Sequence, residues 1–180
     1  LTTRRRALTG WRALSLILAC CPSAFGMETV YQSPAEFLGQ FLPGCHPQAL
    51  WLSRELQAQA EHLVDHPYPG IRVRYCRLGQ RTAWVLDEIG KTEPITSGII
   101  IHRGSVERVR VLVFRESRGA EVHRSAFVEQ YHDAALLDGG GLDRPIDGIT
   151  GATLSVAALS RQVKLALLFD GAVQGQADDR

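Results

Sequence analysis

The stretch Ile99-Ile100-Ile101-His102-Arg103-Gly104-Ser105-Val106-Glu107-Arg108-Val109-Arg110-Val111-Leu112-Val113-Phe114 decides the fold. Two runs rich in β-branched residues flank Arg103-Gly104-Ser105, a turn-forming triplet, so the stretch predicts a β-hairpin. On its second strand Val109, Val111 and Val113 are expected on one face, with Arg108 and Arg110 on the other. Upstream, residues 82–89 read as a further strand, and Ile71, Val73 and Tyr75 alternate with Arg72 and Arg74 as in a half-buried strand. Consecutive strands of this kind imply an antiparallel sheet.

Helical patterns lie on either side. Ser33-Pro34-Ala35-Glu36 combines a capping serine, a proline suited to the first helical position and a glutamate that completes a capping box. That helix is expected to stop near Pro43-Gly44. A second is predicted from about Pro47, with Ala49, Leu52, Leu56, Ala60 and Leu63 on one face, ending before Pro67-Tyr68-Pro69-Gly70. A short helix is expected over residues 127–131, then a loop at Asp138-Gly139-Gly140-Gly141. The last helix is predicted over about residues 153–169, with Val156, Leu159, Val163, Ala166 and Leu167 buried and Gly171 as its stop. The sum is an α+β fold: one twisted antiparallel sheet with helices packed on it.

At 180 residues and 45% hydrophobic content, the chain suits one domain with a real core. Residues 1–26 read instead as a signal peptide. Arg4, Arg5, Arg6 and Arg12 precede the apolar run ALSLILACC at residues 13–21, and small residues at Ala24 and Gly26 suit cleavage. The run is well short of the ~20 residues that a membrane span needs. Ile17-Leu18-Ala19-Cys20 also resembles a lipobox, with Cys20 as the acylated residue; soluble export is the favoured reading. The net charge is +1, and without the four leader arginines the remainder is −3. A mildly acidic domain with no basic stripe argues against nucleic acid as a partner. Cys45 and Cys76 remain after the leader, as a disulfide or as two buried thiols, and no CxxC is present.

The segment Asp147-Gly148-Ile149-Thr150-Gly151-Ala152-Thr153-Leu154-Ser155 sits at a predicted loop-to-helix junction. Its glycines permit close backbone approach. Thr150, Thr153 and Ser155 offer three hydroxyls, and the following helix turns unpaired N–H groups and its positive dipole end towards the loop, which favours a phosphate. By composition alone, an ordinary capped helix is the favoured reading.

Asp147-Gly148-Ile149-Thr150-Gly151-Ala152-Thr153 resembles the flavinylation motif of the FMN-binding domain family, whose members include the C subunit of sodium-pumping NADH:quinone oxidoreductase and the G subunit of the Rnf complex. The resemblance implies FMN joined to Thr153 by a phosphoester bond, made by a flavin transferase that uses FAD as donor and magnesium as cofactor. Asp147, Gly151 and Ala152 match the positions that transferase recognises, and Thr150 fits the hydroxyl site before the glycine. Glu116-Ser117-Arg118-Gly119 is similar to a Glu-Thr-Pro-Gly-like loop that lies near the flavin in the family: Glu116, Ser117 and Gly119 fit, while Arg118 replaces the proline. Ser155 joins the expected cofactor-binding residues. The likeness covers about residues 71–170, so the chain divides into a leader (1–26), an N-terminal helical extension (27–70) and an FMN-binding domain (71–180). It implies an exported, periplasmic electron carrier whose partner is a membrane or periplasmic redox protein. The alternatives are a flavin-dependent reductase of a small periplasmic acceptor and a redox-sensing regulatory module.

Other motifs are weaker. His62 and His66 are spaced four apart, as metal ligands on a helix face can be, but a polar helix end explains them better, and Cys45-His46 is a similarly weak hint. Trp51, Trp84 and Tyr131 could each stack on a flavin or fill the core; Trp51 reads as core, with Tyr131 open. Arg108 and Arg110 read as a solvated sheet face rather than an anion site, while Arg118 is placed to meet a phosphate.

Overall fold

The structure, a computed structural model, describes residues 28–178. The leader and Cys20 lie outside them. The hairpin forms as its sequence predicts, from β5 (Pro94–His102) and β6 (Ser105–Phe114), turning at Arg103 and Gly104, both at positive φ. With β3 (Arg72–Leu78) and β4 (Arg81–Ile89) it builds an antiparallel meander. The edges are β1 (Thr29–Val30) beside β6 and β2 (His46–Trp51) beside β3, giving the order β1-β6-β5-β4-β3-β2 in an open sheet. β5 is buried along almost its whole length because both faces of the sheet are covered, which is why it reads as a continuous isoleucine run.

One face is covered by α4 (Thr153–Asp178) and α2 (Arg54–Val64). Their core joins Trp84, Ile99, Ile101 and Val109 to Leu159, Val163, Ala166 and Phe169. Gln162 sits in this apolar layer with its polar atoms satisfied. Its amide donates to the carbonyls of Leu86 (3.0 Å) and Ile95 (2.5 Å), and its oxygen accepts from Ser97 Oγ (2.5 Å). That arrangement fixes α4 on the sheet.

The opposite face is crossed by α1 (Pro34–Phe41), which carries the chain from one edge of the sheet to the other. Its start is the expected capping box: Glu36 N–H donates to Ser33 Oγ, and Ser33 N–H to Glu36 Oε2. Phe37 lies flat on Gly98, where a Cβ would stand only 2.6 Å from the ring, so β5 needs glycine there. Beyond α1, a Cys45–Cys76 disulfide ties the chain to β3.

Four expectations are corrected. Residues 46–51 are strand, not helix: Pro47 is tolerated because β2 is an edge strand, and α2 begins only after Ser53 caps it by accepting from Leu56 N–H (3.2 Å). The segment 27–70, expected as a helical extension, also supplies both edge strands of the sheet. Gly171 does not end α4, because Val173 beyond it is buried in the core, and that burial outweighs the roughly 1 kcal/mol glycine costs in a helix. Val113 faces α1 with Leu112 instead of joining Val109 and Val111. A bulge opposite Thr96 and Ser97 inserts one residue into β6 and breaks its alternation.

Candidate functional site

α4 begins with an unprotected end. Ala152 stands just before the first helical residue and offers only a methyl, so the N–H groups of Thr153, Leu154 and Ser155 find no acceptor among the described residues. The chain enters through a turn in which Ala152 N–H donates to the Ile149 carbonyl (2.9 Å) and Gly151 adopts φ +83°. Thr153 and Leu154 are exposed, whereas Ala152 and Ser155 are buried.

What buries them is the second segment singled out in the sequence. After β6 the chain passes through Glu116, Ser117 and Arg118 to Gly119, which sits at φ +88° against the first turn of α4. A Cβ on Gly119 would come within 2.3 Å of Ser155 Oγ, 3.1 Å of Ser155 Cβ and 3.4 Å of Ala152 Cβ. Glycine is therefore needed twice over, for the backbone angle and for the approach. The two segments, far apart in sequence, form the walls of an open cleft of about 610 Å³ lined by Glu116, Ser117, Arg118, Gly151, Thr153 and Leu154, among others. That volume falls within the roughly 300–1,000 Å³ of small-molecule sites.

Lys91 also lines this cleft, and the sequence reading missed it. It belongs to the tight turn between β4 and β5, and Glu116 sets that turn. The buried Glu116 carboxylate accepts from the backbone N–H groups of Lys91, Thr92 (2.6 Å) and Glu93 (2.9 Å) and from Thr92 Oγ1 (3.2 Å). Burial acts to raise its pKa, but these donors together outweigh it and hold the carboxyl below the ordinary 4.5. Glu116 is thus a brace that brings Lys91 to the cleft, with its charge spent on the turn.

Of the expected site residues, Glu116, Ser117, Gly151, Ala152, Thr153 and Ser155 meet around the cleft, and Gly119 packs beneath it. Asp147 and Thr150 do not line it. They are exposed in the preceding loop, where Asp147 N–H donates to Gln130 Oε1 (2.8 Å). Tyr131 is fully buried against Phe127 and bonded to Ser160 Oγ (2.8 Å); burial pushes its pKa up to about 12 despite that hydrogen bond, so it belongs to the core. Trp84 is fully buried in the core, whereas Trp51, expected in the core, is 64% exposed at the end of the edge strand. His66 lies beyond α2 and is bonded to Glu88 (2.9 Å), and Cys45 is in the disulfide, so neither metal hint survives.

The cleft offers a hydroxyl at a helix start, three free N–H groups and two cations, Lys91 and Arg118, around one opening. That donor set suits a phosphate monoester. Comparison of the chain with protein-family models, with curated proteins and with solved structures returned no match.

Proposed function

We propose that the chain is an exported flavoprotein that transfers electrons through FMN joined to Thr153 by a phosphoester bond. The observation that carries this reading is the contact of Gly119 with Ala152 and Ser155, which joins the two segments similar to flavin-site loops into one cleft. FMN, when bound, supplies the redox chemistry.

The chain's own residues do the holding. Thr153 Oγ1 provides the ester oxygen at the mouth of α4. A phosphate there accepts from the N–H groups of the first helical turn, and Lys91 and Arg118 offset its charge. Leu154, 51% exposed, offers apolar surface beside it. Glu116 is the one carboxylate lining the cleft among the described residues, and it is bound to the turn at Lys91, so the cleft holds no carboxylate base free to activate Thr153. As the resemblance implies, attachment falls to a separate flavin transferase, and the exposed loop carrying Asp147 and Thr150 is accessible to it.

The Cys45–Cys76 disulfide, with Cα atoms 5.6 Å apart, supports an oxidising compartment such as the periplasm. No helix among the described residues is long and apolar enough to cross a membrane. As the resemblance implies, the electron donor or acceptor is a separate periplasmic or membrane protein. Co-expression with a flavin transferase tests the reading: the protein keeps its flavin absorbance after denaturation and removal of free small molecules. Colourless protein under conditions that flavinylate a control substrate overturns it.

A further inference from the structure

A second concavity, of about 800 Å³, opens where α1, β6 and the segment leading into α3 (Ser125–Val128) meet. Tyr31, Glu36, Gln40, Arg110, His123 and Ser125 are among its lining residues, and Arg108 stands just outside it. Arg110 and Arg108 are alternate residues of β6, so they share the α1 face. Both guanidinium groups lie over the Phe41 ring, at 5.7 Å and 4.6 Å from its centroid.

This pair has no carboxylate partner, and Arg110 donates to the Val109 carbonyl (3.2 Å). Arg81, Arg115, Arg144 and Arg161 each meet a carboxylate, whereas neither Arg108 nor Arg110 forms an ion pair among the described residues. Arg110 is half-buried, and burial followed by the neighbouring charge of Arg108 lowers its pKa. The nearby carboxylates do not answer it. Glu129 acts on Arg110 without touching it, and Glu36 is bonded to Ser33 N–H (2.8 Å) and Ser33 Oγ (2.7 Å). Two like charges side by side, one partly withdrawn from water, are an arrangement that a bound oxyanion stabilises.

The remaining lining adds donors. Gln40 uses its oxygen to accept from Gln32 (2.8 Å), and among the described residues its N–H groups and the Ser125 hydroxyl have no partner. His123 is held by its Nδ1 contact with the Ala120 carbonyl (2.5 Å) and by stacking on Tyr31 at 4.3 Å, so that wall is fixed.

We propose that this pocket binds a small, doubly charged oxyanion, held by Arg110 with Gln40 and Ser125 as neutral donors and with the charge of Arg108 close by at the Phe41 ring. The site is separate from Thr153 and does not depend on the flavin reading.

Titration calorimetry of the purified chain at neutral pH and constant ionic strength tests it, with succinate in one arm and inorganic phosphate in the other. One saturable site is expected in the succinate arm, phosphate bound in this pocket is the share lost in Arg110→Gln, and the tighter arm assigns the ligand as dicarboxylate or phosphate. Arg110→Gln weakens binding by about tenfold or more, as loss of a charge-assisted hydrogen bond does, and Arg108→Gln weakens it by less. Thr153→Ala and Lys91→Gln leave it unchanged. Circular dichroism melts confirm that the variants fold. The proposal is overturned if neither anion saturates, if folded Arg110→Gln binds like the parent, or if Lys91→Gln is the variant that loses binding, which places the ion in the other cleft.

Discussion

Gly119→Ala probes the contact on which the flavin reading rests. Alanine at φ +88° costs about 1–2 kcal/mol in backbone strain alone. The added methyl also meets Ser155. Rotating the Ser155 hydroxyl away relieves the 2.3 Å approach to Oγ, but the 3.1 Å approach to Cβ remains, because that atom is fixed to the first turn of α4. The loop must therefore draw back by a few tenths of an ångström, an overpacking cost of about 1–3 kcal/mol. The expected loss is about 2–5 kcal/mol, measured by urea unfolding followed by circular dichroism, with the denaturant slope unchanged. Ser155→Gly removes both clashing atoms, so in the double variant it recovers the packing share, leaving a coupling energy of about 1 kcal/mol or more. A Gly119→Ala variant within about 0.5 kcal/mol of the parent, or full additivity with Ser155→Gly, refutes the close approach of the two segments.

Three further predictions concern what holds the site and the fold. Glu116→Gln removes a charged acceptor shared by three backbone N–H groups, and unfolding titrations should show a loss of about 1–3 kcal/mol at pH 7. Because folding lowers the Glu116 pKa, its contribution is present above the ordinary 4.5 and is lost as pH falls through the lower folded value, so the gap between variant and parent should close in acid. His66 has the opposite sign. Its contact with the Pro67 carbonyl, then its bond to Glu88, raise its pKa above 6.5, so its contribution is complete below that value and fades as pH rises through the folded one. His66→Gln should flatten that part of the stability profile measured by thermal melts. Reducing Cys45–Cys76, or replacing both residues with alanine, opens a link of sequence separation 31 and should cost about 3–4 kcal/mol in denaturant titrations.

The parts of the fold legible in the sequence were those in which local pattern and tertiary burial agree. The hairpin of β5 and β6 and the capping box of α1 are such cases. β2 was hidden because Leu50 is its one buried side chain, while Ala49, Leu52 and Leu56 mimic a helical face that in fact begins only after Ser53. A signal was available in Ser53-Arg54-Glu55, a capping residue followed by an acidic first turn. Gly171 misled for a different reason: propensity is local, whereas the packing of Val173 is not.

The site divides along the same line. Thr153 at a helix start and Gly119 in a loop were readable from residue type and resemblance. Their meeting, and the arrival of Lys91, depend on contacts that span 23 or more residues: Glu116 to the 91–93 backbone, and Gly119 to Ser155. No local pattern encodes those. Trp51 shows the converse, since an aromatic residue reads as core until its strand proves to be an edge.

The most direct measurement is intact and peptide mass of protein exported from cells that contain a flavin transferase. The account predicts a mass increase of one FMN less one water, carried by the peptide that holds Thr153 and absent from Thr153→Ala. An adduct that persists in Thr153→Ala, or unmodified Thr153 in cells that flavinylate a control substrate, contradicts it.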